Sequence, residues 1–260
     1  MTYRLAVVGG GNMGAALVGG LLQAGWAAGD LAVVELLPAR ATELATMFPG
    51  VAIVAEVPPC HGALIAVKPY DVPAACAVAV AAGATRVLSI AAGVSVATLE
   101  AACGPGVAAV RSMPNTPALV GEGAAAICAG PSAGTDDLAW AEEILGSVGT
   151  VVRVGESHID AVTGLAGSGP AYLFLVAEAL IDAGVLAGLS RATSEALTAQ
   201  LFVGSAALLR ERGEPARLRA QVTSPGGTTA AGVRVLEEHG VRSAFLEAVM
   251  AAVRRSAEMG

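Results

Sequence analysis

The chain has 260 residues, a formal net charge of −7, 55% hydrophobic residues, 14% charged residues and 3% aromatics. That length supports one or two domains with a real core, and the apolar content excludes intrinsic disorder. Net acidity with no basic block excludes a nucleic-acid binder, because neutralising phosphates takes clustered Lys and Arg.

Leu5 to Gly29 runs 25 residues without a charge, directly after Arg4. By hydropathy alone this is a membrane span or a signal peptide. Eight of those residues are glycine, three of them consecutive at Gly9, Gly10 and Gly11, so the chain turns where a spanning helix would have its apolar centre. A second apolar segment, Ala161 to Ala177, leads into Glu178 and Asp182, charges that a bilayer penalises. The expectation is a cytoplasmic protein with no membrane partner. Its excess of Ala, Val, Leu and Gly suits close helix packing and a large subunit interface.

In chain order, β-type runs fall at Leu5–Val8, Leu31–Glu35, Val51–Val54, Ala63–Val67 and Arg86–Ile90, with helical stretches at Met13–Ala24, Ala39–Met47 and Val72–Ala82. Alternating β and α elements with near-continuous apolar strands predict a parallel sheet covered on both faces. Strand-like pieces continue at Val107–Arg111, Ala124–Ala129 and Val151–Val154, with a helix at Asp136–Ser147. From Glu156 the pattern is helical only. Gly169-Pro170 opens one helix and Gly184 is read as closing it. Ser190 caps a long helix to about Arg210, one helix follows the Ser224–Thr229 turn, and one runs from Val241 to about Glu258. The fold class is α/β: a doubly wound dinucleotide-binding sheet over 1–153, then an all-α dimerisation and substrate domain over 154–260.

Val8-Gly9-Gly10-Gly11-Asn12-Met13-Gly14 places the spacing G-x-G-x-x-G at Gly9, Gly11 and Gly14, after a predicted strand and opening a predicted helix. That is the Rossmann-type context. Gly9 permits a tight turn, Gly11 lets backbone approach a pyrophosphate, and Gly14 lets helix and strand pack closely. The free N–H groups of the helix start favour phosphate. Glu35, at the end of the second strand, can accept hydrogen bonds from both adenosine ribose hydroxyls, which favours NADH, while Arg40 offers partial compensation for a 2′-phosphate. Both NADH and NADPH stay open as cofactors.

The chain has fourteen arginines and one lysine, Lys68, in Ile65-Ala66-Val67-Lys68-Pro69 at the C-terminal edge of a predicted strand, where open α/β sheets bind ligands. Its ammonium can meet the nicotinamide ribose or a substrate carboxylate. A second glycine-rich helix start, Val222-Thr223-Ser224-Pro225-Gly226-Gly227-Thr228-Thr229, has the composition of an anion nest suited to a small carboxylate. It follows a helix, so a second dinucleotide site is not expected there. Cys60, Cys76, Cys103 and Cys128 show no metal-ligand spacing and read as small core residues, with no metal. His61 (read as lying in a turn), His158 and His239 are isolated and read as structural. No acid/base dyad is apparent. A ketone reductase usually needs a proton donor, whereas a cyclic imine arrives already protonated and needs mainly orientation.

Together these blocks resemble the pyrroline-5-carboxylate reductase family. They are Gly9–Gly14, Ala66–Pro69, Ser89–Gly93, Arg111 through Ala118, Asp160 through Gly164, Gly167–Tyr172 and Val222–Thr229, the last being the most specific. The resemblance implies reduction of the cyclic imine 1-pyrroline-5-carboxylate to L-proline by NADH or NADPH, the last step of proline biosynthesis. It implies a homodimer, with a decamer as the larger assembly. It places Gly9, Gly11, Asn12, Met13, Gly14, Ala66, Val67, Lys68, Pro69, Ala91, Ala92 and Gly93 on the cofactor beside Glu35, with Asn115 near the nicotinamide and Gln221 reaching it from the helical domain. Ser224, Gly226, Gly227, Thr228 and Thr229 hold the substrate carboxylate, Thr229 bonds the ring nitrogen as the catalytic residue, and Glu156 borders that pocket. Two other readings stand beside it: a reductase of another small imine or keto acid, and a non-catalytic dinucleotide sensor.

Overall fold

The computed structural model describes residues 1–259. The chain opens with β1 (Tyr3–Val8), α1 (Asn12–Gln23), β2 (Leu31–Val34), α2 (Pro38–Met47), β3 (Ala52–Val54) and β4 (Cys60–Ile65). There follow α3 (Val72–Ala81), β5 (Arg86–Ser89), α4 (Val96–Cys103), β6 (Ala108–Met113), β7 (Gly123–Ala129), α5 (Thr135–Gly146) and β8 (Gly149–Arg153). The eight strands form one sheet in the order β3-β2-β1-β4-β5-β6-β7-β8. Strand order reverses between β1 and β4, so their C-terminal ends open the crevice where such sheets bind ligands. The in-register pairs Val8↔Val34 and Val8↔Ile65 bring the ends of β2, β1 and β4 side by side.

The near-continuous apolar strands are buried on both faces, as a parallel sheet flanked by helices requires. Leu5, Leu17, Leu31, Leu64, Leu88 and Ile127 are fully buried. Small residues let the layers close. A Cβ on Gly62 of β4 would lie 2.6 Å from the Trp140 ring of α5. Arg4 stacks 3.5 Å from the centre of Trp26 while its Nη2 and the Trp26 Nε1 both donate to Glu143 at 2.9 Å, tying β1 to α5.

The sheet departs from the expected all-parallel form in one place. β7 runs antiparallel to β6, whereas β8 is parallel to β7. The 114–122 connection, whose helical content is the 3₁₀ turn Thr116–Val120, is too short for the crossover that a parallel pairing needs. Helix α4 was also not anticipated. Ser95 caps it by accepting from Thr98 N at 3.1 Å.

After β8 come the 3₁₀ turn Glu156–His158, α6 (Ile159–Val162) and a π-helical turn at Thr163–Gly167 closed by Ser168 N donating to Thr163 O at 2.8 Å. The remaining helices are α7 (Gly169–Leu186), α8 (Arg191–Arg212), α9 (Pro215–Gln221), α10 (Thr228–Glu238) and α11 (Val241–Ala257). Backbone proximity divides the chain into two units: Met1–Ser168 with the residues from Met250 onward, and Gly169–Val249. The segment after Arg153 thus stays with the sheet until Ser168, fifteen residues past the sequence-based boundary. Residues 156–186 form one helical stretch long and apolar enough to cross a membrane by length and composition, broken by the π turn.

In the helical unit Ser190 caps α8 as expected, accepting from Thr193 N at 3.1 Å. Gly184 does not close α7. It lies inside the helix, where a Cβ would come within 2.6 Å of Ser194 Oγ, so its role is close packing against α8. The left-handed residue past the helix end is Gly188, at φ 100°.

Candidate functional site

The crevice at the β1/β4 switch point is a cleft of about 950 Å³. Its floor is the glycine loop. Gly9 has φ 109°, and a Cβ there would sit 2.6 Å from Ala66 O, so only glycine lets the loop cross the end of β4. A Cβ on Gly14 would overlap Gly9 O, which is why α1 can start so close under the strand. Gly11 differs from both: a Cβ there would meet nothing within 4 Å. The fold makes no steric demand at Gly11, and its bare backbone leaves room on the cleft side. Gly11 is the N-cap of α1 and offers no side-chain cap, so the first-turn N–H groups remain available to an anion.

The cleft brings together Gly9, Gly11, Asn12, Met13, Glu35, Ala66, Val67, Lys68, Pro69, Ala91 and Ala92. Among them Glu35 is held most firmly. Its Oε2 accepts from Gly10 N at 3.2 Å and its Oε1 from Leu37 N at 2.9 Å. The cleft also takes in Leu36, Leu37 and Tyr70, which the motifs did not single out, and Met113 and Pro114 of the Arg111–Ala118 block, to which no cofactor role was given. A positional signal could have found them, since each stands within a few residues of a strand's C-terminal end.

Four expected cofactor residues stand elsewhere. Gly14 lies beneath the loop. Gly93, at φ 72°, packs under the backbone of Met259, its Cβ position 3.4 Å from Met259 O. Asn115 spends both ends of its amide on backbone: Oδ1 accepts from Ala124 N at 2.8 Å and Nδ2 donates to Ala166 O at 3.0 Å. It therefore fixes the loop carrying Met113 and Pro114 between β7 and the π turn. Gln221 ends α9 in the helical unit, beside Arg217 and Gly213.

Glu156 also has structural partners. Its Oε1 accepts from Val96 N at 2.6 Å and from Arg111 Nη1 at 3.0 Å, pinning the start of α4 to β6. Cys128, opposite Arg111 in the β6–β7 register, has its thiol pushed up to about 11 by burial, with the charge of Glu156 adding to the shift and that of Arg111 opposing it. All four cysteines are buried and free. Cys76 on α3 and Cys103 on α4 share a thiol hydrogen bond that raises the first and lowers the second. His61 is an exposed residue of β4 rather than part of a turn; His158 ends a 3₁₀ turn and His239 follows α10.

In the helical unit, Ser224–Gly227 is a tight turn closed by Gly227 N donating to Ser224 O at 3.0 Å, with Gly226 at φ 69°. Gly227 is the N-cap of α10, without a side-chain cap, and Thr228 and Thr229 are the first two helical residues. Their N–H groups and hydroxyls form the positive end of an 11-residue helix. Gly11 in the sheet unit and Gly227 in the helical unit thus each lead a helix start without a side-chain cap, a feature that Gly134 at the start of α5 shares.

Comparison with known proteins finds one family match in each half of the chain. A family model described as pyrroline-5-carboxylate reductase dimerisation matches residues 156–259, and one described as NADP oxidoreductase coenzyme F420-dependent matches residues 4–93. A pyrroline-5-carboxylate reductase of Synechocystis sp. is 45% identical, the alignment covering 100% of this chain and 99% of that one. One from Corynebacterium melassecola is 40% identical over 98% of each. Among solved structures, a pyrroline-5-carboxylate reductase from Coxiella burnetii superposes with a TM-score of 0.93 at 33% identity, over 100% of this chain and 99% of that one. A pyrroline carboxylate reductase of Plasmodium falciparum with NADP bound gives 0.85 at 30% identity, over 99% and 98%.

Proposed function

The chain belongs to the pyrroline-5-carboxylate reductase family, and from that premise we propose that it reduces 1-pyrroline-5-carboxylate to L-proline with NADH or NADPH. The observation that carries the reading is the pair of uncapped, glycine-led helix starts, one shaped for a dinucleotide and one for a small carboxylate. When bound, the reduced nicotinamide supplies the hydride that makes the imine carbon of the ring a CH₂. The N–H groups at Gly11–Met13 bind the pyrophosphate, Gly9 and Gly14 keep that loop closed against β4 and β1, and Lys68, Ala91 and Ala92 flank the nicotinamide half. Asn115 holds Met113 and Pro114 in position, Gly93 supports the turn beside Ala92, and Gln221 approaches the cofactor from the helical domain.

Ser224, Gly226, Gly227 and Thr228 receive the substrate carboxylate on backbone N–H groups and hydroxyls. The Thr229 hydroxyl orients the ring nitrogen, and Glu156 borders the pocket while it anchors α4. The imine arrives protonated, so these residues need to orient it rather than donate a proton. The domain division that suits this reading is 1–153 and 154–260, supported by the dimerisation match from residue 156. The helical domain pairs with a second copy, and dimers assemble into decamers in the cytoplasm.

The test is oxidation of NADH and of NADPH with pyrroline-5-carboxylate beside a panel of keto acids. Turnover of the imine alone supports the reading. Keto-acid turnover alone makes this another reductase on the same scaffold, and binding without turnover makes it a sensor. Gly11→Ala sharpens the test: its Cβ has open space, so folding stability, read as melting temperature, falls by no more than the loss of a helix N-cap, about 1 kcal/mol, while nucleotide binding weakens sharply.

A further inference from the structure

We propose that this chain selects NADH over NADPH, and that the selection is made by the Glu35 carboxylate, held rigid at the end of β2 by backbone N–H groups and paired with no cation. This deepens the cofactor reading above and rests on it. Glu35 lines the cleft immediately after β2, the position that meets the adenosine ribose in this architecture. The two N–H groups of Gly10 and Leu37 hold one oxygen each, so the carboxylate cannot turn away without leaving both unpaired. A carboxylate has about four acceptor positions, and two of them remain for a ligand. Two acceptors match the two hydroxyls of an unmodified ribose, each of which donates. A 2′-phosphate instead brings negative charge and acceptor oxygens against a fixed negative acceptor.

The cation that would offset that repulsion is missing from the cleft beside Glu35. The next two residues are Leu36 and Leu37, 76% and 66% exposed. Arg40 reaches the same loop but is occupied there: its Nε donates to Gly10 O at 2.8 Å and its Nη1 pairs with Glu43 at 2.9 Å. Its side chain faces the adjoining groove along α1, with Gly19, Gln23 and Phe48, and is not part of the cleft lining. Lys68 is the basic residue that does line the cleft, and it follows β4, with β1 between it and β2. Electrostatics and hydrogen-bond polarity therefore point the same way.

Titration calorimetry on the whole chain, without substrate, reads this directly. NADH should bind at least about tenfold more tightly than NADPH, equivalent to about 1.4 kcal/mol, and the ratio should shrink with added salt. Free ADP and its 2′-phosphorylated form should show the same order, which confines the effect to the ribose end. Leu36→Arg, at an exposed side chain that folding does not need, should tighten NADPH while NADH stays near its starting affinity. Glu35→Gln, which keeps one acceptor oxygen, should narrow the gap further. Equal or tighter NADPH binding by the unaltered protein overturns the inference and leaves the enzyme reading standing. Failure to bind either nucleotide overturns both.

Discussion

The two units of this molecule bury their apolar residues differently. In the sheet unit β1 alone hides Leu5, Ala6 and Val7 completely, and α1 adds Leu17, Val18 and Leu21. In the helical unit α7 is 18 residues long and buries none of them, and the buried residues of α8 are the small polar Ser194 and Thr198. Phe174 is 65% exposed and Leu246 69%. A surface this apolar, on a chain whose own core is elsewhere, marks an interaction face. The sheet unit carries a core of its own, whereas the helical unit leaves its apolar face uncovered, in a region that matches a dimerisation model. Cofactor affinity should then belong to one unit, and assembly to the other.

The strongest way to break that contrast is to charge the exposed helical face. Phe174→Glu places a carboxylate in an apolar contact and should convert the dimer to monomer at micromolar concentration in sedimentation equilibrium, since central aromatic contacts each contribute upwards of about 2 kcal/mol. NADH affinity by calorimetry should stay unchanged. An intact dimer, or a parallel loss of NADH binding, would show that the units do not divide the work in this way. Next in size is Thr229→Ala. Losing the hydroxyl that accepts from and orients the protonated ring nitrogen should lower kcat about 100-fold and leave both the dimer and NADH affinity as they were. Undiminished turnover refutes the role given to Thr229. Leu64→Ala tests the sheet unit's own core: a fully buried leucine cut to alanine costs about 2–5 kcal/mol, read as a lower melting temperature of the nucleotide-binding unit with assembly retained.

Much of this was legible in the residues, for physical reasons that differ from place to place. The β1–α1 turn was plain because an apolar run ending in three glycines has few other uses, and the structure gives Gly9 a positive φ. Ser190 was legible because a cap acts within four residues. The direction of β7 was not, because pairing sense depends on whether the preceding connection can cross the sheet. Gly184 looked like a helix stop in one dimension, and only its distance to Ser194 reveals a packing role. Glu156 was assigned by resemblance to the substrate pocket, while its ties to Val96 and Arg111, 60 and 45 residues away, leave no mark in local sequence. Helix α4 was missed although Ser95 followed by Val96, Leu99 and Cys103 at helical spacing was there to read.

The smallest effect belongs to the same buried corner. Cys128 is 3% exposed, packed with Val96, Ala126 and Ile159 in the sheet unit. Its thiol is pushed up to about 11 in the folded protein, against about 8.5 for a free cysteine. The folded state therefore holds the thiol proton more tightly than the unfolded chain does. Stability from this source is complete below the unfolded pKa and falls as pH rises towards the folded one, at up to about 1.4 kcal/mol per pH unit. Between pH 8.5 and 11 the unaltered protein should lose about 2 kcal/mol more stability than Cys128→Ala, read from urea unfolding of each at matched pH. The loss should appear in probes of the sheet unit and be absent from sedimentation, because Cys128 belongs to the sheet unit and the exposed apolar helices to the other. A pH profile identical in the two proteins would mean that the corner around Arg111 and Glu156 admits water and does not hold the thiol neutral.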